Sequence, residues 1–135
     1  MKVLIDSDAL FALYFIDDTN HLKAKKILEA FSKEKDELFV ANLVLQESAT
    51  VISRKIGQKQ ALDFLKKFEK TNTREILVDR KLTAKIWRIF KKQTKKGTSF
   101  IDCANWVIAQ ELKIDKIFSF DKFYQQLGSK TRVLS

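Results

Sequence analysis

The chain has 135 residues, 45% of them hydrophobic and 11 of them Phe, and its 26 Lys and Arg outnumber its 17 Asp and Glu to give a net charge of +9. Such a length suits one core in one domain over residues 1–135, and so many aromatic rings exclude disorder. The single cysteine, Cys103, excludes an internal disulfide and a thiolate-rich metal site, and the single histidine, His21, excludes paired-histidine zinc sites.

Lys2 to Ile5 reads as a first strand, and a helix follows from about Ala9 to Ile16. Asp17-Asp18-Thr19-Asn20 is turn chemistry, with Thr19 or Asn20 able to cap the next helix, where Ala24, Ile27, Leu28 and Phe31 recur at helical spacing. Leu38 to Ala41 is a second strand, and a helix from about Leu43 to Lys55 ends near Gly57. Ala61, Leu62, Leu65 and Phe68 mark another helix, and Glu75 to Val78 a third strand. Asp79 caps a long helix bearing Leu82, Ile86, Ile89 and Phe90, which Gly97 ends. Thr98 or Ser99 starts an apolar helix to about Leu112, Lys116 to Ser119 is a fourth strand, and Thr131 to Leu134 a fifth. The apolar run Ala9 to Ile16 falls far short of the ~18 residues of a membrane span, and Asp6 interrupts the stretch where a signal peptide needs its apolar core. A cytoplasmic, reduced protein without a membrane association is expected.

Short apolar strands alternating with helices predict an α/β fold, a central parallel sheet of about five strands with helices on both faces. Ligands of such sheets bind beyond the carboxyl ends of the strands. Asp6 follows the first strand directly, Glu47 lies in the first turns after the second, and Asp121 follows the fourth. Asp102 lies in the first turn of the helix before the fourth strand and joins them if that helix starts at the same face. Each has a plainer explanation. Asp6 or Asp8 could cap a helix, Ser99 and Asp102 have capping-box spacing, and Asp121 could open a turn over Lys122 to Leu127. Glu47 flanks an apolar stripe of Val44 and Val51, so it needs a cation, which Arg54 or a metal ion could supply. Taken together, converging carboxylates repel one another unless a hard divalent ion neutralises them. An acidic metal cup on a basic protein points to phosphodiester cleavage: the surface attracts a polyanion and the cup does the chemistry.

The segments Val3-Leu4-Ile5-Asp6-Ser7-Asp8, Val44-Leu45-Gln46-Glu47, Ser99-Phe100-Ile101-Asp102-Cys103-Ala104 and Ile117-Phe118-Ser119-Phe120-Asp121-Lys122-Phe123 stand in the order and spacing of a PIN-domain protein, and the chain most resembles a VapC-type toxin ribonuclease. The resemblance implies a PIN-like three-layer fold and an Mg²⁺- or Mn²⁺-dependent endoribonuclease. Its catalytic and metal-binding acids would be Asp6, Glu47, Asp102 and Asp121, with Asp6 and Asp102 the principal ligands and Glu47 and Asp121 acting directly or through water. A metal-bound water would attack the scissile phosphorus, leaving a 5′-phosphate and a 3′-hydroxyl. It further implies an RNA substrate, a homodimer and a VapB-type antitoxin. Asp8 stands where the family usually has Asn or Ser and adds a possible fifth acid. Ser119 replaces the commoner Thr and keeps a hydroxyl to position the acids.

Asn105, one turn from Asp102, could orient it by a hydrogen bond. Lys81, Lys85, Arg88, Lys92 and Lys95, at spacings of 4, 3, 4 and 3, form a basic stripe that either tracks phosphates, through Lys85, Arg88 and Lys92 above all, or is a solvated helix face. Trp87 and Trp106 read as packing residues, Cys103 as core and His21 as a surface residue near a helix start. Phe11, Tyr14, Phe15 and Phe31 could form a dimer or antitoxin groove, or simply pack the core. Two other functions compete: a haloacid-dehalogenase-like phosphatase with Asp6 as nucleophile and Asp8 as acid, and a non-catalytic PIN-like RNA-binding module. The first also needs a lysine after a later strand and a cap, and Lys116 stands at the start of its strand, not after it.

Overall fold

The structure, a computed structural model, describes residues 1–121, 124 and 132–134. The elements run β1 (Lys2–Ile5), α1 (Ser7–Tyr14), α2 (His21–Lys33), β2 (Glu37–Ala41), α3 (Asn42–Lys55), α4 (Gln58–Glu69), β3 (Arg74–Ile76), α5 (Arg80–Lys91), α6 (Phe100–Glu111), β4 (Lys116–Phe118) and β5 (Arg132–Leu134). The five strands form one sheet in the order β3-β2-β1-β4-β5, and every pair is parallel. The expected turn over Lys122 to Leu127 lies, apart from Tyr124, outside the described residues.

Three successive residues of β1, Val3, Leu4 and Ile5, are buried, as are Phe39, Val40 and Ala41 in β2. Successive strand side chains point to opposite faces, so both faces of the sheet centre are covered. The helices fall into two sets: α1 packs on α2 and α3, and α3 on α4, while α5 packs on α6. No helix among the described residues is long and apolar enough to cross a membrane.

Several boundaries differ from expectation, each because of a particular hydrogen bond or strand partner. Helix α1 starts at Ser7 because the Asp6 carboxylate accepts from the Ser7 N–H at 2.8 Å, which caps the helix two residues early. Strand β3 ends at Ile76, the partner of Ala41 at the end of β2. Leu77 is then 70% exposed, and the Val78 N–H donates to Asn42 Oδ1 at 3.0 Å instead of continuing the ladder. Helix α5 stops at Lys91, six residues before Gly97, where the Gln93 amide nitrogen bonds back to the Ile89 carbonyl at 3.0 Å. Gly57 does separate α3 from α4, with φ of +150° and a Cβ position only 2.5 Å from Gln60 Oε1.

The chain runs from β1 outward through β2 and β3, then returns to place β4 on the other side of β1. The topological switch point therefore lies between β1 and β4, where open parallel sheets bind their ligands. The Asp6 N–H joins the Phe118 carbonyl at 3.0 Å there, which fixes the residues after both strands beside each other.

Candidate active site

Asp6 lies at the switch point, 3% exposed. Its carboxylate is held by three donors: the Ser7 N–H and Asn105 Nδ2 on Oδ1, at 2.8 and 3.0 Å, and Ser119 Oγ on Oδ2, at 2.9 Å. Three hydrogen bonds would normally favour the ionised form, yet burial outweighs them. Burial foremost, and then the charge of Asp8, raise the Asp6 pKa from 3.8 to about 7, with a smaller push from Asp102.

Asp8 stands in the first turn of α1 and accepts from the Phe120 N–H at 3.1 Å, with Ser119 Oγ at 3.4 Å. Burial raises its pKa, the Phe120 and Ala9 N–H groups pull it back, and the Asp121 charge adds to the rise. Ser119 is fully buried and joins the acids: it donates to Asp6 and accepts from the Asp121 N–H at 3.0 Å.

Asp102 closes the group from α6. Ser99 Oγ accepts from the Asp102 N–H at 3.0 Å, and Asp102 Oδ2 accepts from the Ser99 N–H at 3.3 Å, a complete capping box. The same carboxyl has its pKa raised, by burial first, against the lowering Ser99 N–H, with the Asp121 charge adding to the rise. Helix cap and member of an acidic cluster are therefore not alternatives for this residue. Asn105 departs from expectation: it donates to Asp6, not to Asp102, because Asp102 is turned back onto Ser99. Its other Nδ2 hydrogen goes to the Tyr124 hydroxyl at 3.0 Å, and that hydroxyl reaches Asp102 Oδ1 at 3.4 Å. Asp6 and Asp102 are thus joined through Asn105 and Tyr124. Tyr124, whose hydroxyl pKa burial pushes well above its ordinary value, was not foreseen from the sequence. The only signal would have been a tyrosine three residues beyond Asp121.

Glu47 stands slightly apart. It is half-buried on α3 and, with Asp8, Phe120 and Lys55, lines a depression of about 300 Å³. The cation in that depression is Lys55, not Arg54, which is exposed and lines a different hollow between α3 and α4. A contact outside the helix decides the difference: the Lys55 ammonium sits 5.5 Å over the ring of Phe11 on α1, at the wall of the depression.

Among the described residues no three of His, Cys, Asp and Glu form a ready-made ion cage. Asp6, Asp8 and Asp102 also have no salt bridge among those residues. An all-oxygen set of mutually repelling aspartates fits Mg²⁺ or Mn²⁺, since Mg²⁺ keeps several waters and takes one or two carboxylates. Lys116 Nζ lies 4.0 Å from Asp36 at the start of its strand, so it does not serve as a phosphatase lysine for Asp6.

Of the basic stripe, Lys92 caps the end of α5 and Lys95 lies beyond the helix, while Lys85 is ion-paired to Glu111. Arg88 is exposed. Trp106 is partly buried against the core, as expected, whereas Trp87 is 45% exposed and rests on Phe90 and Phe100. His21 Nδ1 meets the Ala12 carbonyl at 2.7 Å and ties α2 to α1, and Cys103 is buried.

A family model described as PIN domain matches residues 3–130. A VapC ribonuclease of Archaeoglobus fulgidus is 32% identical over 124 residues, covering 90% of this chain and 78% of the relative. Among solved structures, the sarcin–ricin loop cleaving toxin VapC20 of Mycobacterium tuberculosis superposes with a TM-score of 0.82 at 21% identity, covering 96% of this chain and 98% of the other. VapBC2 from Rickettsia felis, bound to a DNA fragment from its promoter, gives 0.74 at 13% identity, with 99% and 98% covered. FitAcB from Neisseria gonorrhoeae gives 0.65 at 12% identity, with 98% and 96% covered.

Proposed function

The chain belongs to the PIN domain family, and from that premise and its acid cluster we propose that it is a divalent-metal-dependent endoribonuclease, the toxin of a toxin–antitoxin pair. The observation that carries this reading is the group of aspartates at the sheet's switch point, of which Asp6, Asp8 and Asp102 have raised pKa values and no salt bridge among the described residues. A cluster that destabilises itself when empty is explained by the ion it is built to hold.

Asp6 and Asp102 are the principal ligands in this reading, Asp121 and Glu47 act directly or through water, and Asp8 is a further acid of the same cup. Mg²⁺ or Mn²⁺ bound there supplies an acidified water and neutralises phosphoryl oxygens. The protein's part is positional. Ser119 and Asn105 fix both oxygens of Asp6, and Ser99 fixes Asp102 on its helix. Because Asp6 titrates at about 7, its proton must leave before it can serve as a full ligand, so ligation strengthens as pH rises through neutrality. The net charge of +9 draws RNA to the acids.

A VapB-type antitoxin is the expected partner, and the chain is expected to form a homodimer. The surface that suits a partner is an apolar groove of about 690 Å³ bounded by Leu10, Leu13, Leu28, Phe31 and Phe68.

The test is cleavage of an unstructured RNA by purified protein. Mn²⁺ or Mg²⁺ should support cutting that leaves 5′-phosphates and 3′-hydroxyls, and EDTA should stop it. Undiminished cutting in excess EDTA would overturn the metal-dependent reading.

A further inference from the structure

Between Asp79 and Asp102 the chain carries eight Lys or Arg and no Asp or Glu. That stretch therefore supplies +8 of the net +9, and the other residues nearly cancel. It comprises α5, the turn after it and the first turn of α6, so it leads straight into the acid cup. On its surface lies Trp87, the exposed large aromatic of the described residues, 45% accessible. Its ring is not loose: Phe100 lies 4.5 Å away, centroid to centroid, and Phe90 meets it edge-on at 5.6 Å. Phe100 is two residues before Asp102 in the same helical turn. Lys91, one helical turn from Trp87, and the neighbouring Arg88 are both exposed.

A partly accessible indole braced by two rings, beside Arg88 and Lys91, which have no salt bridge among the described residues, is a combination suited to single-stranded nucleic acid. Stacking accepts any base, and cations follow the backbone. A second copy of this chain would bring the same positive stretch toward its like, and an apolar partner would leave the cations unmet. We infer that Trp87, braced by Phe90 and Phe100, is a nucleobase-stacking platform for single-stranded RNA beside the acid cup, with Arg88 and Lys91 on the flanking phosphates. The inference rests on the ribonuclease reading and deepens it: the substrate presents an unpaired base next to the bond that is cut.

The test uses the two tryptophans as reporters, in EDTA so that nothing is cleaved. In Trp106→Phe protein, a 12-residue oligouridylate should quench Trp87 emission, and an abasic ribose-phosphate oligomer of equal length should not. In wild-type protein the part of the quenching lost on Trp87→Phe gives the same measurement without relying on the Trp106 variant. Trp87→Leu should weaken oligouridylate binding, followed by anisotropy, about tenfold or more, and Trp87→Phe should restore most of it. Binding that leaves Trp87 unquenched, or equal quenching by the abasic oligomer, overturns the stacking platform while leaving the ribonuclease reading intact. Conversion of a dimer to a monomer by Trp87→Leu, with RNA affinity unchanged, also overturns it and assigns the patch to a second copy. Neither binding nor cleavage of RNA by wild-type protein overturns both.

Discussion

Replacing Asp6 by Asn should make the metal-free protein more stable at pH 8 and not at pH 4. Folding raises the Asp6 pKa from 3.8 to about 7, so between these values the native state holds a proton that the unfolded state has released. Wild-type stability therefore falls as pH rises through this window and levels off above it. At 1.36 kcal/mol per pH unit the full effect is about 4 kcal/mol. Asparagine loses the charge but also changes one acceptor into a donor. Its carbonyl can keep the bonds from Ser7 and Asn105, while its amide must face Ser119 Oγ, which already accepts from the Asp121 N–H. The Ser119 hydroxyl hydrogen would then turn to Asp8, 3.4 Å away. This rearrangement offsets the gain by about 1 kcal/mol, which leaves Asp6→Asn more stable by roughly 3 kcal/mol at pH 8 and equal or slightly less stable at pH 4. Urea unfolding of both proteins in EDTA at pH 4, 6 and 8 measures the difference, and subtraction cancels the acids that do not interact with Asp6. A difference that stays constant with pH would refute the argument that Asp6 is buried at the expense of its charge.

Three further outcomes follow from the same geometry. Asp102→Ala loses a capping box, which costs about 1 kcal/mol, but it also relieves repulsion from Asp121; melts in EDTA should show a small net loss, and the stabilisation by Mn²⁺ should vanish. Asn105→Leu strips a donor from Asp6 and from Tyr124, so urea unfolding should show a loss of about 1–3 kcal/mol and titration a 10–100-fold weaker Mn²⁺ affinity. Charge reversal of Arg88 and Lys92 should weaken RNA binding and flatten the salt dependence of the affinity while leaving melting in EDTA nearly unchanged; Lys85, paired with Glu111, should matter less.

The strands and the first acid were legible because their signals are local. A run of Lys-Val-Leu-Ile followed by Asp can hardly be read otherwise, and Asp6 stands where that reading puts it. Ser119 and Asp8 were legible only through the family motifs: the bond from Ser119 to Asp6 fits the positioning role the resemblance implied, and the contact of Ser119 with Asp8 gives a place to an acid whose role the motifs left open. What failed was decided by particular strand partners and side-chain hydrogen bonds that period and motif do not encode. Leu77 is apolar enough for a strand, yet its partner strand ends at Ala41 and leaves it exposed. The basic stripe ran on to Lys95 by period alone, while one glutamine amide closes the helix at Lys91. Trp87 shares a helix with Ile86 but is turned away from that buried position by a quarter-turn or so, and only Ile86 on this helix is fully buried. Asn105 was assigned the wrong aspartate because the capping box had already claimed Asp102. Tyr124 carries no period and no motif, and its place in the cluster depends on a hydroxyl that meets Asn105 across the fold.

In the proposed function the aspartates at the end of β1 and the start of α6 act as one metal site that cuts RNA. Single-turnover cleavage of an end-labelled RNA, titrated with Mn²⁺ beside parallel anisotropy binding, tests it most directly when wild type is compared with Asp6→Asn. The variant should bind RNA as well as wild type or better, since a negative charge is gone, yet cut at least a hundredfold more slowly at every Mn²⁺ concentration, on the scale of about 10² or more for losing a group that stabilises transition-state charge. Cleavage by Asp6→Asn at the wild-type rate and with the wild-type Mn²⁺ dependence would contradict it.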